Sequence, residues 1–454
     1  MIAGATERLV AIHRAERPTP RSRPKRRSAR EFFATVPAHY VLVAFAVLLA
    51  LPQNLVIAGV GGSLTPARLV AAVCLIWWVV ARAAGNMGVR VAANPVRATV
   101  LGGSLVLVAA HALALGLGTS PELLGGADRG WMLYALCVGV ALLACDGLSG
   151  LGALRAVLGA VVLGVTLSAI AAVLHFAVNI DLRALISLPG MEVQGMGKVD
   201  LARGGLERAL GFANHPIELA ALSASAIPLA LYLGRFARWR PLWWACAFVL
   251  AAGIVVSISR TGLLGLAMIG LFLLPRSGFV RWAVGAVIAA VFAALAMTAE
   301  PKLFAVISQT VASSSNDYSV WSRLADYEYV LSRLAQRPFS GQGFGTYLAP
   351  PQPYLDNQYL FTTVESGIPG LLVLVALLLV PVISARAAWN RLGRTGTMPE
   401  LRDAAWAVGS AIAVATMCFA TFDALAFPQF QGLTFLLIGI GGAVASWERA
   451  ETSP

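Results

Sequence analysis

Apolar residues along this chain gather in runs of about twenty, broken by short polar or charged connections, instead of alternating along half-buried strands or helices. A helix of about 20 apolar residues is what crosses about 30 Å of hydrocarbon. Lipid offers no partner to a bare backbone amide, so each such run must be helical. Twelve runs qualify: 38–58, 64–82, 98–118, 131–147, 155–178, 216–234, 241–259, 261–275, 280–299, 358–385, 404–421 and 428–447. The fourth and eighth are short. Two connections are much longer than turns, 179–213 and 300–356. Loops of that length usually bind, do chemistry or are disordered. Within the second, Leu324 to Leu334 has helical apolar spacing and predicts a short amphipathic helix lying on the membrane. No repeat relates the first six runs to the last six, which argues against an inverted-repeat transporter.

Composition turns this pattern into a class. Hydrophobic residues make up 58% of the 454 positions and charged residues 12%, against about 25% charged in soluble domains. That is too little charge to coat several water-soluble domains, and the same figures exclude a disordered, collagenous or disulfide-framed chain. The expected fold is all-α and polytopic, with about twelve membrane-crossing helices. The five cysteines (Cys74, Cys137, Cys145, Cys246, Cys418) lie in or at the edge of apolar runs and form no CxxC pair, so neither a disulfide frame nor a zinc site is indicated.

The net charge of +12 is unevenly spread. Nine of the 34 Lys/Arg lie in the first 30 residues. A basic run just ahead of a first apolar span marks the cytoplasmic side and leans on anionic lipid headgroups; it does not indicate nucleic acid. Threading twelve spans from a cytoplasmic N-terminus leaves 23 of the 34 Lys/Arg inside, although the two longest connections are outside. The expected organisation is a basic cytoplasmic tail (1–37), five membrane helices (38–178), an outer loop (179–215), four helices (216–299), a large outer loop (300–356), three helices (357–447) and a cytoplasmic tail (448–454), all in the cytoplasmic membrane.

Outer arginines are informative, because the positive-inside bias should have removed them. Between Arg260 and Pro275 lie 14 residues, about 21 Å of helix. Arg260 therefore either faces the protein interior somewhat below the outer surface or snorkels to headgroups. Arg208, just before the sixth span, is the second candidate. Two guanidinium groups at the lipid boundary suit a lipid-linked pyrophosphate, whose oxygens they bind bidentately at any relevant pH. No DxD-type acidic cluster lies among the outer segments, so neither a divalent cation nor another cofactor is demanded. Gly341, Gly343 and Gly345 lack the strand–helix context of a nucleotide cradle and read as a tight backbone turn. At the start of the tenth span Asp356 reads most simply as a helix cap, and Glu365 two turns further in as a partner for a neighbouring polar group.

Together these residues resemble the O-antigen ligase and polymerase superfamily. The resemblance is carried by SRTGLLG around Arg260, by Arg208–Gly211–Phe212–Asn214–Pro216, by Arg323, Pro338, Gly341, Gly343, Gly345 and Tyr347, and by Asn357-Gln-Tyr359-Leu360 followed by Glu365, Gly367 and Gly370. It covers about 190–375. It implies a fold like that of the polytopic C-type glycosyltransferases and a metal-independent, inverting transfer at the outer membrane face. The donor would be a polyprenyl-pyrophosphate-linked saccharide and the acceptor a hydroxyl on a glycan or lipid. Pyrophosphate contacts fall to Arg208 and Arg260, and the 300–356 loop would cover the sugar. The family usually has His-Asn where this chain has Asp356-Asn357. Asp356, no strong base, and His215 at the mouth of the sixth span all stand as ways of handling the acceptor proton. A lipid-linked saccharide flippase or other transporter, and an inactive scaffold of a polysaccharide assembly, are the alternatives.

Overall fold

Proline opens most of the long helices, where its missing N–H costs nothing and its fixed φ fits the first turn. A computed structural model of the chain describes residues 37–59, 64–84, 93–119, 121–193, 202–203, 206–272 and 318–452. The predicted basic tail up to residue 36, the ninth run (280–299) and the start of the second long loop lie outside the described residues. The helices are α1 (His39–Leu49), α2 (Pro66–Ala83), α3 (Pro95–Gly116), α4 (Pro121–Gly147), α5 (Leu151–Val178), α6 (Pro216–Phe236), α7 (Arg240–Val256), α8 (Arg260–Phe272), α9 (Tyr318–Gln336), α10 (Gln358–Thr395), α11 (Pro399–Cys418) and α12 (Pro428–Thr452). Side-chain caps accept amide hydrogens at the starts of α2 (Thr65), α3 (Asn94), α6 (His215) and α10 (Asn357). Two short antiparallel ribbons join the loops: β1 (Leu55–Ile57) pairs with β2 (Met191–Val193), and β3 (Ala202–Arg203) with β4 (Leu206–Glu207).

Among the described residues, seven helices are long and apolar enough to cross a membrane: α2, most of α4 and α12, and the whole of α3, α5, α6 and α10. The chain is thus an all-helical, multi-pass membrane protein. Helix α4 begins at Pro121, ten residues before the predicted fourth run, because Asp128 and Arg129 interrupt the apolar pattern without breaking the helix. Helix α9 contains the predicted amphipathic segment and extends it in both directions.

Helices α6 and α12 form the centre. α12 packs against α1, α3, α4, α6, α10 and α11, and α6 against α5, α7 and α11. Around them, α2, α3, α5, α7 and α10 each bury one stripe and expose another that is equally apolar. On α3, Val96, Val100, Gly103, Leu107, Ala110 and Ala114 face inward, while Leu101, Leu105 and Val108 face out. A water-soluble bundle would cover such a rim with polar residues. Here it is the face that lipid solvates.

The polar residues sort to the two ends of the bundle. At one end, ion pairs tie helix termini together: Arg97–Asp146 at 2.7 Å, Arg235–Asp403 at 2.8 Å, Arg155–Glu400 at 3.5 Å and the bidentate Arg391–Glu448 pair at 2.6 and 2.8 Å. Trp78 Nε1 also donates to Asp146 at 2.9 Å. At the other end lie the start of α6, the α7–α8 break, the start of α10 and the α11–α12 connection, where the predicted site residues are.

Candidate functional site

Helices α7 and α8 would be one helix but for three residues. The break at Ser257–Ser259 contains Ile258 at φ +47, a left-handed conformation that is costly for a β-branched side chain. Burial of Ile258 against Phe176, Leu206 and Val255 holds it there. The break takes the Ser257 carbonyl out of the helical ladder and starts α8 at Arg260. Arg208 Nε donates to that carbonyl at 3.0 Å, and the Ala209 amide donates to Val256 O at 3.3 Å. The two arginines predicted 52 residues apart in sequence are thereby brought to the same break. Gly211 makes the approach possible. It sits at φ +57, and a Cβ there would lie 2.1 Å from the Ser168 carbonyl of α5. The next amide, Phe212 N, donates to Ser168 Oγ at 2.9 Å, so residues 208–212 are pinned between α5 and the break.

His215 follows directly. It caps α6, its Nδ1 accepting from the Ile217 amide at 3.1 Å, and its ring lies 6.0 Å from that of Phe427. Burial, with the Arg208 charge nearby, pushes its pKa down to about 4. The ring is neutral near pH 7. With Nδ1 accepting, the proton sits on Nε2, which makes His215 a hydrogen-bond donor.

Residues 419–427, between α11 and α12, tie the remaining pieces together. Thr261, next to Arg260, donates to Thr421 Oγ1 at 2.9 Å. Gln358 N donates to the carbonyls of Phe419 and Phe422 at 2.9 and 3.2 Å, and Gln358 Oε1 accepts from Leu425 N at 2.9 Å. The start of α10 and the start of α8 therefore meet the same short connection. The expected cap at Asp356 is corrected here. Asn357 caps α10, its Oδ1 accepting from Tyr359 N and Leu360 N at 2.9 and 3.3 Å, because only its backbone is placed one residue before the first helical turn. Asp356 is exposed instead. It lies near Asp423, whose carboxyl is pushed up to about 7 by burial and by the Asp356 charge.

The glycine-rich loop belongs to a second layer. α10 breaks at Gly367 (φ +64), leaving its carbonyls and amides to an outside partner. Residues 338–343 supply it: Ile368 N donates to Pro338 O at 2.8 Å, Gln342 N to Val364 O at 3.0 Å and Gly343 N to Glu365 O at 2.8 Å. A Cβ at Gly341 would come within 2.5 Å of the Glu365 backbone, so the glycines serve close backbone packing, as the turn reading expects. Glu365 is buried and accepts from Tyr347 N at 3.1 Å; Tyr347 packs on Phe361 and donates to Pro353 O at 2.5 Å. Tyr359 donates to Thr416 O at 2.8 Å. Glu365, Tyr347 and Tyr359 thus shape the loop and the α10 entrance. Arg323 lies on α9, and its side chain is outside the described residues.

Two residues join the site that the sequence did not single out. Asp423 stands alone in an aromatic stretch, Phe419 to Phe430; an acid left at the lipid boundary between the last two apolar runs was its only signal. Glu218, fully buried in the first turn of α6, accepts from Asn214 N, Gln429 N and Phe430 N at 2.8, 3.0 and 3.2 Å and so ties α6 to α12. Its partners on α12, Gln429 and Phe430, are 211 and 212 residues away, and no local pattern shows them. Among the described residues no three His, Cys, Asp or Glu side chains gather as a metal-type group.

A search of curated proteins found none that matches this chain. A family model does match, over residues 245–375, which contain most of α7, the α7–α8 break with Arg260, α9, the glycine loop and the start of α10; Arg208, His215 and Asp423 lie outside it. That model is described as O-antigen ligase; the matched segment is similar to that family, and within it the break, the loop and the α10 entrance are the parts that the fold brings to one end of the bundle.

Proposed function

We propose that the protein transfers or polymerises a polyprenyl-pyrophosphate-linked saccharide onto an acceptor hydroxyl at the outer face of the cytoplasmic membrane, without a metal and with inversion. Glycosyl transfer of the O-antigen ligase kind, from a lipid-linked saccharide to a glycan acceptor, is what the matched family carries in general. The observation that carries the finer reading is the convergence of Arg208 and Arg260 at one helix break. An arginine at a helix N-terminus opposes the helix dipole, an arrangement that a bound anion relieves. The tail of a polyprenyl carrier would lie along the apolar rim, with its pyrophosphate reaching the break.

The chemistry is a single displacement. The acceptor oxygen attacks the anomeric carbon as the bond to the pyrophosphate oxygen breaks, and Arg208 and Arg260 hold the charge that develops on the leaving group. The proton of the acceptor hydroxyl passes to the Asp356–Asp423 pair. A carboxyl near neutrality is a far better base than a solvated one at about 3.9. Neutral His215, with its proton on Nε2, contributes a hydrogen bond and no base. In this orientation the ion-paired end of the bundle and both termini face the cytoplasm.

Arg208→Ala and Arg260→Ala each abolish glycan transfer while leaving the protein in the membrane at wild-type abundance, measured by immunoblot and by mass spectrometry of accumulating lipid-linked glycans. Near-normal transfer in both variants refutes the assignment.

A further inference from the structure

A cleft of about 440 Å³ opens beside the arginine site, between the β1–β2 ribbon, the last turn of α5 and the 181–186 and 207–211 segments. It belongs neither to the α7–α8 break nor to the carboxylate pair. Its polar lining is Asn54, His175, Asp181, Arg183 and Glu207, and its apolar wall includes Leu55 and Leu210. Its volume falls in the range of about 300–1,000 Å³ typical of small-molecule sites.

The placement follows from one short strand. Leu206–Glu207 is β4, and side chains of an extended segment alternate sides. Glu207 lines the cleft, whereas Arg208, the next residue, reaches the Ser257 carbonyl at the break. The cleft and the proposed pyrophosphate site are therefore the two sides of a single piece of backbone. Arg183 holds the far wall in place: its Nη1 donates to Ala213 O at 3.2 Å, and its amide donates to Asp181 Oδ1 at 3.0 Å. Ala213 lies two residues before His215, so the wall is continuous with the entrance of α6.

Charge selects the ligand. Two carboxylates, Asp181 and Glu207, against one guanidinium, Arg183, leave the charged lining net negative, which disfavours phosphate. Carboxylates and amides accept hydrogen bonds from hydroxyls, and a leucine wall suits the C–H face of a sugar ring. Asn54 adds an acceptor, its Oδ1 being buried without a hydrogen-bond partner among the described residues. We infer that this cleft binds the uncharged saccharide, the glycan part of the donor or of the acceptor, on the opposite side of β4 from the pyrophosphate. This inference rests on the proposed glycosyl transfer, and its test separates the two.

The test uses the purified full-length protein in detergent, as wild type, as Asp181→Asn/Glu207→Gln and as Arg260→Ala. Three probes are titrated: undecaprenyl pyrophosphate without sugar, the lipid-linked saccharide extracted from cells that make the protein, and the polysaccharide released from their envelope by mild acid. In the double variant, affinity for one saccharide-bearing probe falls about tenfold, the effect of losing charge-assisted hydrogen bonds, while the sugar-free lipid binds as to wild type. A loss confined to the lipid-linked saccharide identifies the donor glycan as occupant; a loss on the released polysaccharide identifies the acceptor. Unchanged affinity for both overturns the cleft assignment, and so does an equal loss on the sugar-free lipid. Arg260→Ala reports separately on the underlying reading. If it binds undecaprenyl pyrophosphate as wild type does, the arginine site fails, whereas the released polysaccharide still decides the cleft.

Discussion

Burial and neighbouring charge divide the titratable residues of the site into an acid that keeps its proton and a histidine that gives its own up. Asp423 holds a proton up to about pH 7, against an ordinary 3.8. The folded state therefore binds more protons than the unfolded chain between those values, and the residue's contribution to stability falls as pH rises through that window. His215 has the opposite sign: its pKa drops from 6.5 to about 4, so its contribution is lost as pH falls through that range. If the carboxylate pair accepts the acceptor proton, transfer rises with pH to a plateau, with its midpoint near 7. Asp423→Asn removes that inflection from the pH–rate profile; an unmoved inflection assigns the proton elsewhere. The neighbouring positions separate capping from chemistry. Asn357→Ala loses a cap worth about 1 kcal/mol, seen as a lower melting temperature with turnover largely retained. Asp356→Asn keeps the melting temperature and lowers turnover about 10²–10⁴-fold, the usual contribution of a general base.

Among the elements, interruptions matter more than regular helix. The α7–α8 break turns a carbonyl toward Arg208, and the break at Gly367 in α10 takes up the glycine loop; both expose backbone that a continuous helix would satisfy internally. Residues 208–212 are held in register by Gly211 at φ +57 against α5. Gly211→Ala places a methyl against a carbonyl and strains the backbone, at a cost of about 1–3 kcal/mol locally. Because the segment also carries Arg208, the expected result is loss of transfer well beyond the loss of thermal stability; retained transfer dissociates Gly211 from the arginine's position. The runs that predict α2, α3 and α5 were legible because a lipid-facing helix needs apolar residues on every side. The breaks were not, since Ser257-Ile-Ser259 has no glycine or proline to mark it.

Over the whole molecule, the ion-paired end and the candidate site lie at opposite ends of the bundle. Glu448 is fully buried and accepts from Arg391 Nε and Nη2, so Arg391→Ala removes two charge-assisted hydrogen bonds from a buried carboxylate and costs about 1–3 kcal/mol, the arginine side chain being half exposed. The loss appears as early unfolding in detergent, and Glu448→Leu added to Arg391→Ala restores most of it; an additive double variant removes the explanation. Single cysteines tested with a membrane-impermeant maleimide on intact cells check the orientation. One at Ala426, beside the site, is labelled, and one at Thr395, at the ion-paired end, is not.

Hydropathy by itself determined that this is a helical membrane protein and marked the runs that become its long apolar helices, because a bilayer imposes length and apolarity on each helix separately. Short local motifs, not hydropathy, carried the resemblance to the family and the turn role of the glycines. What only the tertiary structure decided is which distant residues meet. Asp423 lies near Asp356, Arg208 reaches the Ser257 carbonyl at the break before Arg260, and Glu207 lines a cleft next to the same segment. Helix packing fixes those meetings, and it depends on how many helices share one buried volume, a property that no single segment carries.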